Sequence, residues 1–66
     1  MTIFVNGARV ECGDARTVGE LVQRYDVSPE VTLVEHNGVA LRRREWSERG
    51  LQHEDRIEIL RVAAGG

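Results

Sequence analysis

The strongest constraint on this fold is the pair Asn6-Gly7, which separates two short runs rich in β-forming residues. Asparagine and glycine both tolerate the positive φ angles that a two-residue hairpin turn requires. The flanking runs, residues 2–5 and 8–12, alternate as strands with one buried face do. The sequence therefore predicts that the chain opens with a β-hairpin. The residues expected on its buried face are Met1, Ile3, Val5, Val10 and Cys12.

A helix is predicted to follow this hairpin. Thr17 precedes a stretch of apolar residues at helical spacing, and Glu20 lies three positions later, as in a capping box. The stretch 26–29 ends the helix, which gives it the range 18–25. The apolar stripe that is expected to face the sheet consists of Val18, Leu21, Val22 and Tyr25.

Two more strands are predicted, at residues 31–36 and 56–62, with an irregular crossover between them. A second turn pair, Asn37-Gly38, closes the first of these strands. Alternation places Val34, His36, Ile57 and Ile59 inward. In the crossover, Leu41 and Leu51 are expected to pack onto the core. Trp46 is interpreted as a packing residue over the crossover, with a binding anchor as the alternative.

This order of elements is an α+β pattern, in which the helix must cover one face of the sheet because nothing else is available. It predicts a ubiquitin-like β-grasp domain over residues 1–62, with a four- or five-stranded mixed sheet and one main helix on one face. The first and last strands should be adjacent and parallel. The expected core is Ile3, Val5, Val10, Leu21, Val22, Val34, Ile57 and Ile59.

Charge and composition argue against several classes of function. Nine basic residues against eleven acidic ones give a net charge of -2, which supplies no overall positive field for nucleic acid. The chain has neither an apolar run that could cross a membrane nor a secretory signal pattern, so a cytoplasmic protein is expected. Cys12 has no second thiol, and His36 and His53 lack partners for a metal set, so no metal site is expected. We also find no nucleophile–base pair, and therefore no catalytic residue.

The last four residues, Ala63, Ala64, Gly65 and Gly66, form a predicted flexible tail of small side chains. Glycine has no Cβ and permits close backbone contact, so such a tail suits a terminal carboxylate that must enter another protein's active site. The alternative is a frayed terminus with no function.

Several segments together resemble the ThiS family, the ubiquitin-like sulfur carriers of thiamine biosynthesis. They are Asn37-Gly38, Glu45-Trp46, the run Asp-Arg-Ile-Glu-Ile at 55–59 and the terminal Gly65-Gly66. The resemblance covers essentially the whole chain. Two positions depart from it, because the family usually has proline where this chain has Arg42 and glycine where it has Glu54.

The resemblance implies a carrier that is not itself an enzyme and binds no cofactor. An E1-like adenylating enzyme would use ATP and magnesium to adenylate the Gly66 carboxylate. Sulfur from a sulfur donor enzyme would then give a thiocarboxylate, which thiazole synthase consumes. The carrier alone is expected to be a monomer.

Alternation leaves four apolar residues on the sheet face that the single helix cannot cover: Phe4, Leu33, Leu60 and Val62. They are expected to form a docking patch for the activating enzyme and the synthase. The run Arg42, Arg43 and Arg44 is interpreted as a solvated loop, with a docking patch for an acidic partner as the alternative.

Other functions stay open. The small subunit of molybdopterin synthase, and carriers that serve cysteine or secondary metabolites, share the fold and the terminal Gly-Gly. Chain length and Glu45-Trp46 favour the thiamine branch. A ubiquitin-like modifier and an interaction module with an inert tail are further alternatives. The chain has no lysine, so it cannot build lysine-linked chains on itself.

Overall fold

The computed structural model describes residues 1–62, and the predicted tail, residues 63–66, lies outside them. Five strands form one sheet: β1 (Thr2–Val5), β2 (Ala8–Glu11), β3 (Thr32–His36), β4 (Val39–Leu41) and β5 (Arg56–Arg61). Within residues 1–62 there is one α-helix, α1 (Val18–Gln23), and there are two 3-10 turns, Pro29–Val31 and Arg43–Glu45. None of these helices is both long and apolar enough to span a membrane.

The strand order across the sheet is β2-β1-β5-β3-β4. β1 and β5 run parallel, whereas every other neighbouring pair is antiparallel. The predicted mixed β-grasp sheet, with adjacent and parallel first and last strands, is therefore confirmed. The central strand is β5, the one that leads toward the C-terminus.

The two Asn-Gly turns close hairpins and also hold β5. Asn6 and Gly7 have φ angles of 50° and 84°, and the second pair repeats this geometry, which is that of a type I′ turn. The Asn6 side chain accepts the N–H of Ile59 at 2.8 Å and donates to its carbonyl at 3.1 Å. The Asn37 side chain accepts the N–H of Arg56 at 2.8 Å. Both turns therefore fix the position of the central strand.

The core lies between the sheet and α1. Its largest fully buried side chains include Ile3, Leu21 and Ile57. The crossover residues Leu41, Trp46 and Leu51 are buried as predicted. Cys12 is also fully buried, and this burial raises the pKa of its thiol. The thiol is therefore kept protonated and acts as a small apolar side chain.

The helix is shorter than predicted, and Tyr25 does not join its buried stripe. The N–H groups of Arg24 and Tyr25 bond to the carbonyls three residues earlier, Leu21 and Val22, so the last turn tightens. Asp26 then takes a positive φ of 50° and turns the chain away. As a result, the prediction for Tyr25 is wrong, and 37% of the residue is exposed.

Three other predicted core positions also need correction. Met1 is 44% exposed because it precedes the first strand. Val10 and Ile59 are partly buried and pack against the core rather than lying inside it. Val10 belongs to an edge strand. Ile59 is on the central strand, but the six-residue helix is only about 9 Å long and is shorter than β5, so it covers only part of that strand.

Only one of the two hydrogen bonds of the predicted capping box forms at the start of the helix. The Thr17 hydroxyl accepts the N–H of Glu20 at 3.2 Å, as expected. The Glu20 carboxylate accepts the N–H of Arg16 at 2.6 Å, one residue before the cap. The start of the helix is therefore held by two side-chain hydrogen bonds, as the sequence suggests, but with a shifted partner.

Glu54 occupies a backbone conformation that suits glycine, and this predicts a stabilising substitution. Its φ is +69°, in the left-handed region that is unfavourable for a residue with a Cβ. Glu54→Gly should raise the free energy of unfolding by about 0.5–1 kcal/mol, measured by urea denaturation. Glu54→Ala is the matched control, because it removes the charge and keeps the strain. An equal gain from alanine would show that charge, not backbone, is the cause.

Candidate functional site

The strand β5 carries the chain from the centre of the sheet to the predicted tail. The N–H of Val62, the last described residue, still donates to the carbonyl of Val31 at 2.7 Å. Four residues, 63–66, follow it in the sequence. Four fully extended residues span at most about 14 Å, which sets the greatest distance from Val62 that the predicted tail could reach.

The sheet face opposite α1 carries exposed apolar residues close to this exit point. Leu33 and Leu60 are directly opposite each other on β3 and β5, and they are 37% and 43% exposed. Val62, 51% exposed, follows Leu60 by two residues and so continues along the same side. These three residues form what we call the apolar patch.

The fourth predicted residue, Phe4, lies on the same face but apart from the patch. It pairs with Arg56, which precedes Leu60 by four residues, or about 13 Å along β5. Phe4 is half-buried, and the Arg9 guanidinium carbon lies 5.8 Å from the centroid of its ring. The predicted four-residue patch is therefore a cluster of three residues and a separate aromatic ring.

Two glutamates lie between the apolar patch and Phe4. Glu35 and Glu58 are directly opposite each other on β3 and β5, and both are half-buried. Alternation along each strand places both glutamates outward. It does not reveal that they face each other, because this depends on the register between strands that are more than 20 residues apart in sequence.

A buried polar cluster fixes the start of β5. The Asp55 carboxylate accepts hydrogen bonds from His36 Nε2 at 2.7 Å, Asn37 Nδ2 at 3.0 Å and the N–H of Gln52 at 2.9 Å. Burial alone raises the pKa of Asp55, but these hydrogen bonds outweigh it, so the pKa lies below its ordinary value of 3.8. The cluster ties the β3–β4 turn to β5, and sequence reasoning missed it.

Each of the two histidines forms a hydrogen bond within the described part of the chain. His36 contacts Asp55, and His53 Nδ1 accepts the N–H of Thr2 at 3.2 Å. Within residues 1–62, no three His, Cys, Asp or Glu side chains converge in a way that could hold a metal ion.

The arginine run is exposed at the crossover. Arg42, Arg43 and Arg44 are all exposed, and Arg43 lies 4.0 Å from Glu30. Arg42 has φ of -72°, an angle that a proline ring also adopts, and its N–H donates to Glu45 at 2.7 Å. The backbone at this position is therefore one that proline could also adopt, and arginine adds an N–H hydrogen bond that proline could not make.

Comparisons with known proteins agree with the fold. The model of the ThiS family matches residues 3–66. A crystal structure of the thiamine biosynthesis protein (ThiS) from Geobacter metallireducens is 30% identical, covers 100% of both chains and has a TM-score of 0.82. The uncharacterized protein ycf40 from Trieres chinensis is 23% identical over 65 residues, which are 98% of this chain and 89% of that protein. With nearly its whole length matched by the family model, this chain belongs to the ThiS family.

Proposed function

We propose that this chain is a sulfur carrier of thiamine biosynthesis and that its working group is the carboxylate of Gly66. The observation that carries the proposal is the family match, which runs through residue 66 and so includes the terminal Gly65-Gly66. The similar solved structure, which is named a thiamine biosynthesis protein, supports the thiamine branch.

The proposed cycle begins at an E1-like adenylating enzyme, which supplies ATP and magnesium. A carboxylate oxygen of Gly66 attacks the α-phosphate of ATP, and pyrophosphate leaves. A reduced sulfur nucleophile from the sulfur donor enzyme then attacks the carbonyl carbon, and AMP leaves. The resulting thiocarboxylate donates its sulfur to thiazole synthase.

The chain acts in this cycle as a protein substrate. Its contribution is to present a carboxylate on a slim tail, because residues without large side chains allow the close approach that in-line attack requires. The buried Cys12 has a raised thiol pKa, which argues against a role for it as the sulfur nucleophile. The apolar patch, close to where the tail leaves the body, is the proposed docking site for the activating enzyme and thiazole synthase.

Intact mass spectrometry tests this proposal. After incubation with the cognate activating enzyme, ATP, magnesium and a sulfur source, the mass should rise by the difference between one sulfur and one oxygen atom. The product should then react with a sulfonyl azide, which leaves a carboxylate untouched. A carrier that takes up no sulfur in the complete mixture would contradict the proposal.

Two further assays separate the alternatives. Thiocarboxylated carrier should support thiazole formation by thiazole synthase and not molybdopterin formation by the large subunit of molybdopterin synthase. A ubiquitin-like modifier would instead appear as a covalent conjugate whose mass is the sum of two proteins.

A further inference from the structure

We propose that the pair Glu35–Glu58 receives one basic side chain of the activating enzyme, whose aliphatic stem lies across the apolar patch. This inference rests on the proposed function and adds the charge and the orientation of the partner. The occupant is a protein surface that presents a lysine or arginine to the centre of the uncovered sheet face.

The positions of the residues set the geometry of this contact. Leu33 pairs with Leu60, and Glu35 pairs with Glu58 two positions farther from the chain exit. Two residues along a strand correspond to about 7 Å. Leu60 and Glu58 lie on the same side of β5. The face therefore carries an apolar band, Leu33 and Leu60, and next to it, at this spacing, an acidic band, Glu35 and Glu58.

The charges on this face favour a cation at the acidic band. Among residues 1–62, neither Glu35 nor Glu58 forms an ion pair. Like charges directly opposite on neighbouring strands are unfavourable, so a bound cation relieves their repulsion. Ala40 is opposite Glu35 on β4, and its small side chain leaves access from that edge. Arg56, two residues before Glu58, is the nearest basic position along β5 on this face.

The neighbouring apolar patch identifies the cation as a side chain of a protein. Lysine and arginine combine an aliphatic stem with a charged head, so one side chain can cover Leu33 and Leu60 and still reach the carboxylates. A hard metal ion instead takes six or more oxygen ligands, and the described residues around the pair do not form such a set. An apolar and an acidic contact in fixed order on this face also define one orientation of the partner, with Val62 on the side away from the acidic band.

Binding of the full chain to the cognate activating enzyme tests the inference. The double variant Glu35→Gln/Glu58→Gln should weaken binding about tenfold and reduce its salt dependence, since a charged contact is lost. Each glutamine keeps the shape of the glutamate, and unfolding in urea shows whether the variant retains its fold. The double variant Glu48→Gln/Glu54→Gln, at exposed positions outside the five strands, removes the same number of charges; it is the matched control and should bind as the natural sequence does.

Two results would overturn the inference. The first is a double variant with unchanged affinity and unchanged salt dependence. The second is an equal loss of affinity in Glu48→Gln/Glu54→Gln, which would indicate a general effect of net charge. The proposed function is judged separately by the mass assay on the natural sequence. If the natural sequence takes up sulfur but the double substitution leaves the affinity for the activating enzyme unchanged, only this inference is contradicted.

Discussion

Deleting Gly66 is expected to reduce adenylation and sulfur loading at least a hundredfold, because a misplacement of about 1 Å can already cost this much. The N–H of Val62 bonds to the carbonyl of Val31, which fixes the chain to the body at this residue. Removing one residue therefore shortens the reach of the carboxylate by up to about 3.6 Å, and docking on the sheet face cannot compensate for it. Single-turnover release of pyrophosphate and the intact mass of the carrier measure the two steps.

Three variants serve as controls for this deletion. One residue added after Gly66 should impair loading as strongly, since it displaces the carboxylate in the other direction. Ala63→Gly keeps the length of the tail and should load at a rate close to that of the natural sequence. Cys12→Ala removes the sole thiol without burying a hydroxyl in the core, and it should also load. Normal loading of the deletion variant, or sulfur found on Cys12, would contradict the proposed chemistry.

The tail stays a prediction, because residues 63–66 lie outside the described residues. The fold was predictable because much of it depends on local sequence signals. Asn6-Gly7 and Asn37-Gly38 are local signals, and each forms the turn that its own residues favour. Alternation likewise assigned Ile3 and Ile57 to the buried face, where both are fully buried.

The features that the sequence did not predict depend on where a helix ends and on how distant strands and side chains are positioned relative to one another. The spacing of apolar residues predicted a helix through Tyr25. It does not show that the hydrogen bonds of the last turn join residues three positions apart, as they do in the structure. Alternation assigned Phe4 to the correct face of the sheet, yet its distance from Leu60 is set by the parallel register of β1 and β5. Asp55 meets His36 across 19 positions of sequence, a contact that no local pattern marks.

Replacing Asp55 with alanine should cause a large loss of stability. The residue is 8% exposed, and its carboxylate accepts hydrogen bonds from three donors, which Asp55→Ala would leave without their partner. We expect the free energy of unfolding to fall by about 2–4 kcal/mol. A domain of this size has a total stability of roughly 3–10 kcal/mol, so a large part of it depends on this residue. Urea denaturation near neutral pH measures the loss.

The pH dependence of stability distinguishes the charge of Asp55 from its shape. Because the folded protein holds the pKa of Asp55 below the ordinary 3.8, the ionised carboxylate stabilises the fold above that value, and this contribution is lost as pH falls through the lowered pKa.

The variant Asp55→Asn keeps the shape of the side chain and removes its titration. The pKa values of Glu11 and Glu45 are also lowered, but both glutamates remain in the two proteins and cancel in the comparison. The difference in unfolding free energy between the natural sequence and Asp55→Asn should therefore shrink between about pH 7 and about pH 2.5. A difference that stays constant over this range would show that the carboxylate's charge does not hold β5 in place.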